Sequence, residues 1–351
     1  MAPGDAAPAT GPGYPRGMAL FSRRGKSDDS PSEPDAELTA PDTSADDVGT
    51  AAPDAEPVPH VGISVSTFGK APEKPAPPRP PRPEATAPAA TQTIPGVVDN
   101  VLVQRALAAL SETPQAAEVM NVMRQALVGQ LYVRAQGDAQ ALLAEGKGLN
   151  LAITTFADKR FLLAFSGGGP LQASALEEGS EAASAVGQLA YNLLRTAVDS
   201  GYDGIYLDHT NPGARLVLPI ELIRKSLEEG APPPFALKTL LAGERTDAAE
   251  RAIVDVLTRE TVWVAGNLDP ESGQIGLAEA RGEGGRRIEV YSHPLEVIAM
   301  GRGDRPLPLT PQQLAKTLAA EPTVTGIVLD AAGPWAELDR EALAPLIALA
   351  D

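Results

Sequence analysis

Apolar and polar positions alternate in short periodic runs from Val97 onward, and Gly- and Pro-rich breaks separate these runs. Apolar residues at helical spacing, such as Val119, Met123 and Leu127, predict an amphipathic helix in the first part of this region. The short apolar run "LYV" that begins at Leu131 predicts a strand after it. The chain beyond Val97 is therefore predicted to fold as a series of short helices and strands.

The same pattern occurs twice along the chain. The segment "GIYLDHTNPGARL" from Gly204 matches "GIVLDAAGPWAEL" from Gly326 at an offset of 122 residues, and without a gap this pairs Leu216 with Leu338. Two further pairs of segments recur in the same order, at offsets of 126 and 131 residues: "LNLAITTFADKRFLLAFS" from Leu149 with "IGLAEARGEGGRRIEVYS" from Ile275, and "LYVRAQGD" from Leu131 with "VWVAGNLD" from Val262. Three blocks that recur in one order predict a duplicated domain.

Each copy predicts the same series of elements. Amphipathic helices come first, followed by a strand and by a hairpin that turns at "ADKR" in the first copy and at "GEGG" in the second. The next element is predicted to be a helix, which carries Val186, Leu189 and Leu193 in the first copy. In the second copy Thr310 is its predicted N-cap and Pro311 its first residue. A strand, a turn and a last helix close the unit.

These elements predict an α+β fold of two duplicated domains, residues 97–230 and 235–351, joined by the linker "EGAPPP". Each domain is expected to be a small mixed β-sheet with its helices on one face. Residues 1–95 hold 19 of the 34 prolines and few aliphatic clusters, so this acidic, Pro- and Ala-rich arm is predicted to be disordered. Its "PPRPPRP" motif fits either a spacer or a ligand of an SH3-like domain, and the composition favours the spacer.

Composition narrows the classes of function. A net charge of −17 disfavours binding to nucleic acid or to anionic lipid. The absence of cysteine excludes disulfides and thiolate catalysis, and the three histidines are too scattered for a metal site, so no cofactor is predicted. No run approaches the ~18 apolar residues that cross a bilayer, and no signal-peptide core is present. We therefore expect a cytoplasmic protein, with translation from Met18 rather than Met1 as a further hypothesis.

The stretch "YDGIYLDHTNPGARLVLP", residues 202–219, collects the polar groups that most resemble a site. Because successive side chains of a strand point to opposite faces of the sheet, Tyr206 is expected to point away from the core. The second copy keeps the aspartate and the proline of the turn but has Ala331 in place of His209. The shared part is therefore a turn, and no nucleophile and base can be assigned around Asp208, so no catalytic residue is predicted.

Three other motifs have structural interpretations. The segment "FSGGGP" from Phe165 lacks the lysine of a phosphate-binding loop and is predicted to be a flexible exit from the hairpin. In "YSHPLEV", Ser292 is predicted to cap a short helix that begins at Pro294. Trp263 is expected in the core, whereas Trp335 lies at a turn from which it could anchor a partner protein.

The two copies resemble the SseB protein N-terminal domain. The residues that carry this resemblance in the first copy are Leu131-Tyr132-Val133, Phe165-Ser166 and Asn211-Pro212-Gly213 with Leu216 and Leu218. The second copy, with Tyr291-Ser292 and Gly333-Pro334, resembles a diverged member. The chain departs from the family pattern in having Phe-Ser-Gly where Phe-Thr-Ser is usual, and Asp-His-Thr before Asn-Pro where an aliphatic residue is more common.

The resemblance implies a protein of uncharacterised function, because the family has no established catalytic residues or cofactors. The family name refers to an enhanced serine sensitivity phenotype. In actinobacteria, whose Ala-, Pro- and Gly-rich composition this chain shares, such domains also resemble components associated with type VII secretion. A partner from that system is one expectation.

The sequence therefore favours a non-enzymatic protein-binding module or scaffold. Its predicted partner-binding surface comprises Tyr206, Asp208, His209, Arg215 and Trp335. The alternative is an enzyme or a small-ligand sensor that acts on amino acids, with its site between the two domains. A ligand site would gather the polar members of this set around a pocket, whereas a binding module would present an exposed apolar patch instead.

Overall fold

The computed structural model describes residues 83–179, 183–230, 232–268, 275–282 and 284–350, and the predicted arm up to residue 82 lies outside them. The first half of the folded region contains α1 (Val101–Ala108), α2 (Ala116–Gln125), β1 (Gln130–Gln136), α3 (Ala139–Ala144), β2 (Ile153–Phe156), β3 (Lys159–Ala164), α4 (Gly168–Glu178), β4 (Ala183–Leu189), α5 (Ala190–Asp199), β5 (Gly204–Leu207), β6 (Leu216–Pro219) and α6 (Ile220–Glu228). The second half contains α7 (Ala236–Ala242), α8 (Asp247–Leu257), β7 (Val262–Leu268), β8 (Ile275–Leu277), β9 (Glu279–Gly282), β10 (Gly285–Tyr291), α9 (Pro294–Ala299), β11 (Arg305–Leu309), α10 (Pro311–Ala320), β12 (Val324–Leu329), β13 (Ala336–Asp339), α11 (Ala344–Ile347) and a short 3-10 helix (Ala348–Ala350).

The strands of the two halves have the same neighbours. In the first half β1 pairs with β4, and β2, β3, β5 and β6 follow one another, with β3 and β5 parallel. In the second half β7 pairs with β11, β9 lies on β10, and β10, β12 and β13 follow one another, with β10 and β12 parallel. The pair Tyr132–Phe165 joins β1 to β3, and Trp263–Tyr291 joins β7 to β10 in the same way. The second half is one seven-stranded mixed sheet that also includes β8 on β7, whereas the first half is a two-stranded and a four-stranded sheet joined at the Tyr132–Phe165 pair; the order of the corresponding strands is the same.

One face of each sheet packs against four helices. In the first half α1, α2, α5 and α6 bury Leu127, Leu193 and Ile205 against that face. In the second half α7, α8, α10 and α11 bury Leu257 and Leu314 in the same manner. Removing a large aliphatic side chain from water contributes about 1.5–3 kcal/mol, so these two layers supply most of the driving force for folding. The architecture is the α+β fold that the sequence predicts.

The opposite face of each sheet carries one helix; the sequence predicted the helix at Pro294 but not its place on this face, and it did not predict the other helix. Leu171 of α4 packs with Phe165 in the first half, and Val297 of α9 packs with Trp263 in the second. The expectation that all helices lie on one face is therefore wrong. The central strands are apolar on both sides, and a second layer is needed to cover them.

Val186 and Leu189 belong to strand β4 and not to the predicted helix. That helix, α5, begins only at Ala190. The apolar spacing of this short stretch fits both a helical and a strand period, and the glycine within it disfavours a helix. A Cβ atom on Gly187 would lie 2.6 Å from the ring of Tyr132 on β1, so the glycine allows the two strands to pair closely.

The turn between the last two strands is two residues shorter in the second half. Leu218 pairs with Ile205, and Leu338 pairs with Ile327 in the corresponding ladder. Leu338 is therefore equivalent to Leu218, and the ungapped pairing of Leu338 with Leu216 is wrong. Both equivalent leucines are buried against the helical layer, which fixes the register of the strand.

Residues 83–95, which the sequence assigns to the disordered arm, make fixed contacts with the folded region. The indole nitrogen of Trp335 donates a hydrogen bond to the carbonyl oxygen of Pro83 at 2.8 Å. Thr91 donates its hydroxyl to the carboxylate of Asp99 at 2.7 Å. These polar contacts compensate for the scarcity of apolar residues in this segment. We call residues 83–99 the N-terminal strap.

The strap also explains why "FSGGGP" forms the start of a helix. Asp99 accepts the backbone N–H of Gly168, the first residue of α4, at 2.9 Å. A carboxylate at this position satisfies a free N–H group and interacts favourably with the helix dipole. The prediction of a flexible hairpin exit is therefore wrong, because a residue 69 positions earlier in the chain supplies the cap.

Candidate partner-binding surface

A hydrogen-bonded aspartate–serine pair occurs at the same place in both sheets. Asp208 follows β5 and accepts the backbone N–H of Ser166 at 2.8 Å and its hydroxyl at 2.5 Å. Asp330 follows β12 and accepts the N–H of Ser292 at 2.7 Å and its hydroxyl at 2.5 Å. Both aspartates have positive φ angles, 48° and 47°. We call each of these pairs an Asp–Ser latch, because it ties the ends of two parallel strands together.

Burial governs the ionisation of both latches. It raises the pKa of Asp208 to about 6, although the hydrogen bonds from Ser166 oppose the shift. Burial also raises the pKa of Asp330 to about 7, and the neighbouring carboxylate of Glu296 adds to the rise. Each carboxylate is bonded to a hydroxyl and an N–H group, so the aspartate has the same structural role in both halves.

Three members of the predicted surface lie together on the first half. The ring of His209 lies 5.9 Å from that of Tyr206, centroid to centroid, and Arg215 donates to the carbonyl oxygen of His209 at 3.1 Å. Tyr206 and His209 are half-buried and Arg215 is exposed. Asp208 is only 2% exposed and is held by its latch, so it does not belong to an exposed surface.

Trp335 lies apart from these residues, on the second half. Its position immediately before β13 corresponds to that of Arg215 before β6. The backbone N–H of Trp335 donates to the carbonyl oxygen of Ala85 at 3.0 Å, in addition to the indole bond to Pro83. Trp335 thus anchors the chain's own strap, and the five predicted residues do not form one surface.

The two halves meet around a fully buried glutamate on α9. Glu296 forms an ion pair with Arg124 of α2 at 2.7 Å and a second one with Lys238 of α7. Arg124 also donates to the carbonyl oxygen of Gly333 at 2.9 Å. Burial by itself would raise the pKa of Glu296, but the two cations outweigh it and hold the pKa below its usual range. This ion-pair cluster fills the contact between the halves.

His293 lies next to this cluster, and both of its ring nitrogens are bonded. Nδ1 accepts the backbone N–H of Leu295 and so caps α9, and Nε2 lies 2.9 Å from the carbonyl oxygen of Ser226. The helix begins at Pro294 as predicted, but His293 and not Ser292 is its cap. Burial lowers the pKa of His293 to about 4, so the ring is neutral near pH 7.

A cavity of about 200 Å³ lies between the halves beside the strap. Its lining includes Arg105, Asn121, Arg124 and Gly333. The described residues around it do not include His209 or the other polar members of the predicted surface. In the described part of the chain, no three His, Cys, Asp or Glu side chains form a metal-binding group. The convergence expected of a ligand site is therefore not seen at this cavity.

The face of the first sheet opposite its four helices is apolar and aromatic. Phe156 of β2 is 77% exposed, and Phe161 of β3, Tyr206 of β5 and Val217 of β6 are half-buried beside it. Lys159 lies on the same face, directly opposite Phe156 in the β2–β3 ladder. We call these five residues the aromatic face.

The equivalent face of the second sheet is covered by ion pairs. Arg287 of β10 takes the place of Phe161 and pairs with Asp339 at 2.8 Å and with Glu337 at 3.4 Å. Glu289 on the same strand pairs with Arg302 at 2.5 Å. The same sheet position is therefore apolar in one half and fully charged in the other.

Exposed apolar side chains are concentrated in the first half. Among the described residues, the exposed large hydrophobic side chains of the first half are Leu143, Ile153, Phe156, Leu176 and Leu189, and that of the second half is Ile298. The sequence prediction missed Phe156 and Phe161. The signal was present, because residues 154–163 place apolar groups on both sides of a predicted hairpin.

One family model matches part of the chain. No curated protein and no solved structure matches the chain. In the part of the chain that the structure describes, no helix has the length and apolar character needed to span a bilayer. The family match falls on the copy that was expected to be the more diverged, and it runs from the first residue of α7 into α11. Residues 236–345 match the SseB protein N-terminal domain.

Proposed function

We propose that this protein is a non-enzymatic, cytoplasmic protein-binding module that holds a partner protein on the aromatic face of its first half. The single observation that carries this proposal is the difference between the two sheets at equivalent positions. Exposed apolar side chains lower the stability margin and the solubility of a free protein, so an exposed aromatic patch indicates an interaction site. Aromatic residues are also the side chains most enriched at protein interfaces.

The first half is, in this proposal, a second SseB-like domain. Its strand order and its Asp–Ser latch are the same as those of the half that matches the family model. A latch of this kind constrains the backbone, and such constraints change more slowly than exposed side chains. The matched half would then brace the first half through the ion-pair cluster at Glu296.

The polar groups that could perform acid–base chemistry support a non-enzymatic role. Each serine hydroxyl of the two latches is bonded to its own aspartate, and both nitrogens of His293 are used in holding backbone groups. A nucleophile needs a base within hydrogen-bond reach and an open approach for a substrate. The two latches are buried, which leaves no such approach.

A pull-down of the tagged full chain from its native host tests this proposal. We expect one stoichiometric protein partner with the unchanged chain and with Ile298→Ser, which removes an exposed apolar residue of the second half. We expect the partner to be lost with Phe156→Ser. Recovery of the chain alone, or equal recovery of the partner with Phe156→Ser, would contradict the proposal.

A small-ligand sensor is the second candidate, and the cavity between the halves favours it. The cavity has room for a small molecule, and the side chains of Arg105 and Arg124 reach its lining. Arg124 is held by Glu296, and Arg105 pairs with Glu84 of the same lining at 2.6 Å, so a carboxylate-bearing ligand such as an amino acid would replace Glu84 as the partner of Arg105. Thermal-shift screening of the full chain with amino acids tests this candidate. A stabilisation that disappears in Arg105→Ala would support it, and unchanged melting temperatures would reject it.

A further inference from the structure

We propose that the partner contributes an extended, acidic segment that adds as a strand to the free edge of β2, with its apolar side chains on the aromatic face. This inference rests on the proposed function and specifies the chemistry of the partner. Strand addition of this kind combines main-chain hydrogen bonds, which give affinity, with side-chain contacts, which give specificity.

The ladder shows which backbone groups of β2 are available. Among the described residues, β3 is the only strand that pairs with β2. Leu163 donates its N–H to the carbonyl oxygen of Ala152, and inward and outward groups alternate along an antiparallel strand. Thr154 therefore faces β3, whereas Ile153 and Thr155 direct their N–H and C=O groups away from the sheet. At this edge the N–H and C=O groups of Ile153 and Thr155 are therefore available to an added strand.

The edge lacks the features that normally protect an edge strand. Proteins discourage strand addition with charged residues, prolines or bulges. The sequence of β2 is "ITTF", which has none of these and is rich in β-branched residues. The equivalent edge strand β9 has the sequence "EARG", and its Glu279 is paired with Arg286 at 2.5 Å. The edge strand β9 of the second half is therefore protected against strand addition, whereas the edge strand β2 of the first half is not.

The charge of the aromatic face indicates the charge of the segment. Lys159 and Arg215 form no ion pair with the described residues, and no Asp or Glu occupies this face of β2, β3, β5 or β6. On the second half Arg287, which stands at the position of Phe161, has two carboxylate partners from its own sheet. The first half leaves those carboxylates to be supplied by the partner.

The shape of the surface agrees with a strand that runs along β2. Phe156 and Ile153 point to opposite sides of the edge and are 77% and 42% exposed. An added strand would cover both, because its own side chains alternate between the two faces. A partner with a flat, folded surface would reach Phe156 without covering Ile153. The edge therefore selects an extended segment.

The test uses a phage-displayed library of random 12-residue peptides, panned against the immobilised full chain. We expect the selected peptides to carry Asp or Glu and to have apolar residues at alternate positions. The dissociation constant of a selected synthetic peptide should rise at least tenfold with Thr155→Pro, which removes an outward N–H, and with Lys159→Glu. It should stay within about twofold with the matched controls Thr155→Val and Lys316→Glu, the latter an exposed lysine of the second half.

A second measurement leaves the protein unchanged and does not depend on how a proline variant folds. Peptides that are N-methylated at one backbone position at a time should lose binding at every second position, because only alternate N–H groups face the edge of an added strand. Peptides without acidic residues, or binding that ignores the methylation pattern, would overturn the inference.

Other occupants of the edge give distinct results. A selected consensus that matches the chain's own first 82 residues would overturn the inference in favour of an internal ligand. A concentration-dependent dimer that Thr155→Pro abolishes would overturn it in favour of a second copy of the chain. If no peptide is selected while the pull-down partner still depends on Phe156, strand addition is wrong and the proposed function stands.

Discussion

The two halves of this protein share their backbone devices and differ in what they present to solvent. Both have the Asp–Ser latch, and both place a glycine where a side chain would strike the carbonyl oxygen of the neighbouring strand, at Gly204 and at Gly326. Their exposed sheet faces, in contrast, are aromatic in the first half and ion-paired in the second. The two halves therefore have the same residues at these positions, which set the geometry of the backbone, and different residues on their exposed sheet faces.

The helices on the second face show the same contrast. The first turn of α9 in the second half is covered by the first half through the ion pair of Arg124 with Glu296, and Lys238 of α7, in the second half itself, pairs with the same carboxylate. The first turn of α4 in the first half is covered by the strap, through Asp99 on Gly168. The first turn of this helix thus contacts the other half of the molecule in the second half and the strap in the first half.

The largest expected effect comes from the interface between the halves. Glu296→Gln removes the charge that balances Arg124 and Lys238, and leaves two cations buried. Breaking a buried ion pair in this way should lower the free energy of unfolding by roughly 3–5 kcal/mol. Urea denaturation measures this change in the free energy of unfolding. The exposed control Glu250→Gln should change stability by less than about 0.5 kcal/mol, and an equally small effect of Glu296→Gln would contradict the role of the cluster.

The shared glycines should respond alike in the two halves. A Cβ atom at Gly204 would press on the carbonyl oxygen of Leu218, and one at Gly326 on that of Leu338. We expect Gly204→Ala and Gly326→Ala each to cost roughly 1–3 kcal/mol, as overpacking generally does. Chemical denaturation compares them with Gly148→Ala, where nothing lies within 4 Å and little change is expected. A large loss of stability with only one of the two glycine variants would show that Gly204 and Gly326 are not equivalent.

Two buried groups at the interface should give opposite pH dependences. The pKa of Asp330 rises from 3.8 to about 7, so between these values the folded protein holds a proton that the unfolded chain has lost, and stability falls as pH rises. The pKa of His293 falls from 6.5 to about 4, so in that range stability increases as pH rises. Lys238 and Glu296 are the charged groups that act on both of these residues.

Single variants separate the two contributions. Relative to the unchanged chain, Asp330→Asn should gain stability as pH rises from 4 to 7, and His293→Asn should lose it between pH 4 and 6.5. Each slope is limited by one proton, about 1.4 kcal/mol per pH unit. Urea unfolding at four pH values measures both slopes. Parallel stability curves for the variants and the unchanged chain would show that these groups do not titrate on unfolding.

The smallest effect on stability is expected on the aromatic face. Phe156 is 77% exposed, so Phe156→Ser removes little buried surface and should change the free energy of unfolding by less than about 0.5 kcal/mol. Calorimetric melting of the unchanged chain and of the variant measures this. A clear loss of stability would mean that Phe156 serves the fold, and it would weaken the case that this residue is kept for a partner.

Much of the architecture was predictable because it depends on local patterns. The hairpins, the amphipathic helices and the Thr310 cap of α10 follow from periodicity and from local hydrogen-bonding rules. The errors concern elements that depend on distant residues. Strand β4 is stabilised by β1, and α4 is capped by Asp99, which lies 69 residues earlier in the chain. Neither partner is visible in the local sequence.

The candidate surface was predicted only in part for the same reason. The polar stretch around His209 was correctly located near the end of a strand, but Asp208 is buried in its latch and Trp335 is engaged by the strap. Phe156 and Phe161 were missed: the local alternation shows apolar groups on both sides of the hairpin, but which part of each face stays exposed depends on helices from elsewhere in the chain.

The sequence by itself determined the α+β fold class and the repeated order of its elements, since periodicity and turn chemistry act over a few residues. Only the tertiary structure decided which aspartate is a latch, which tryptophan anchors the strap and which aromatic face remains open. Burial and pairing depend on residues far apart in the chain. Corresponding positions of the two halves have different roles because different neighbours are folded against them.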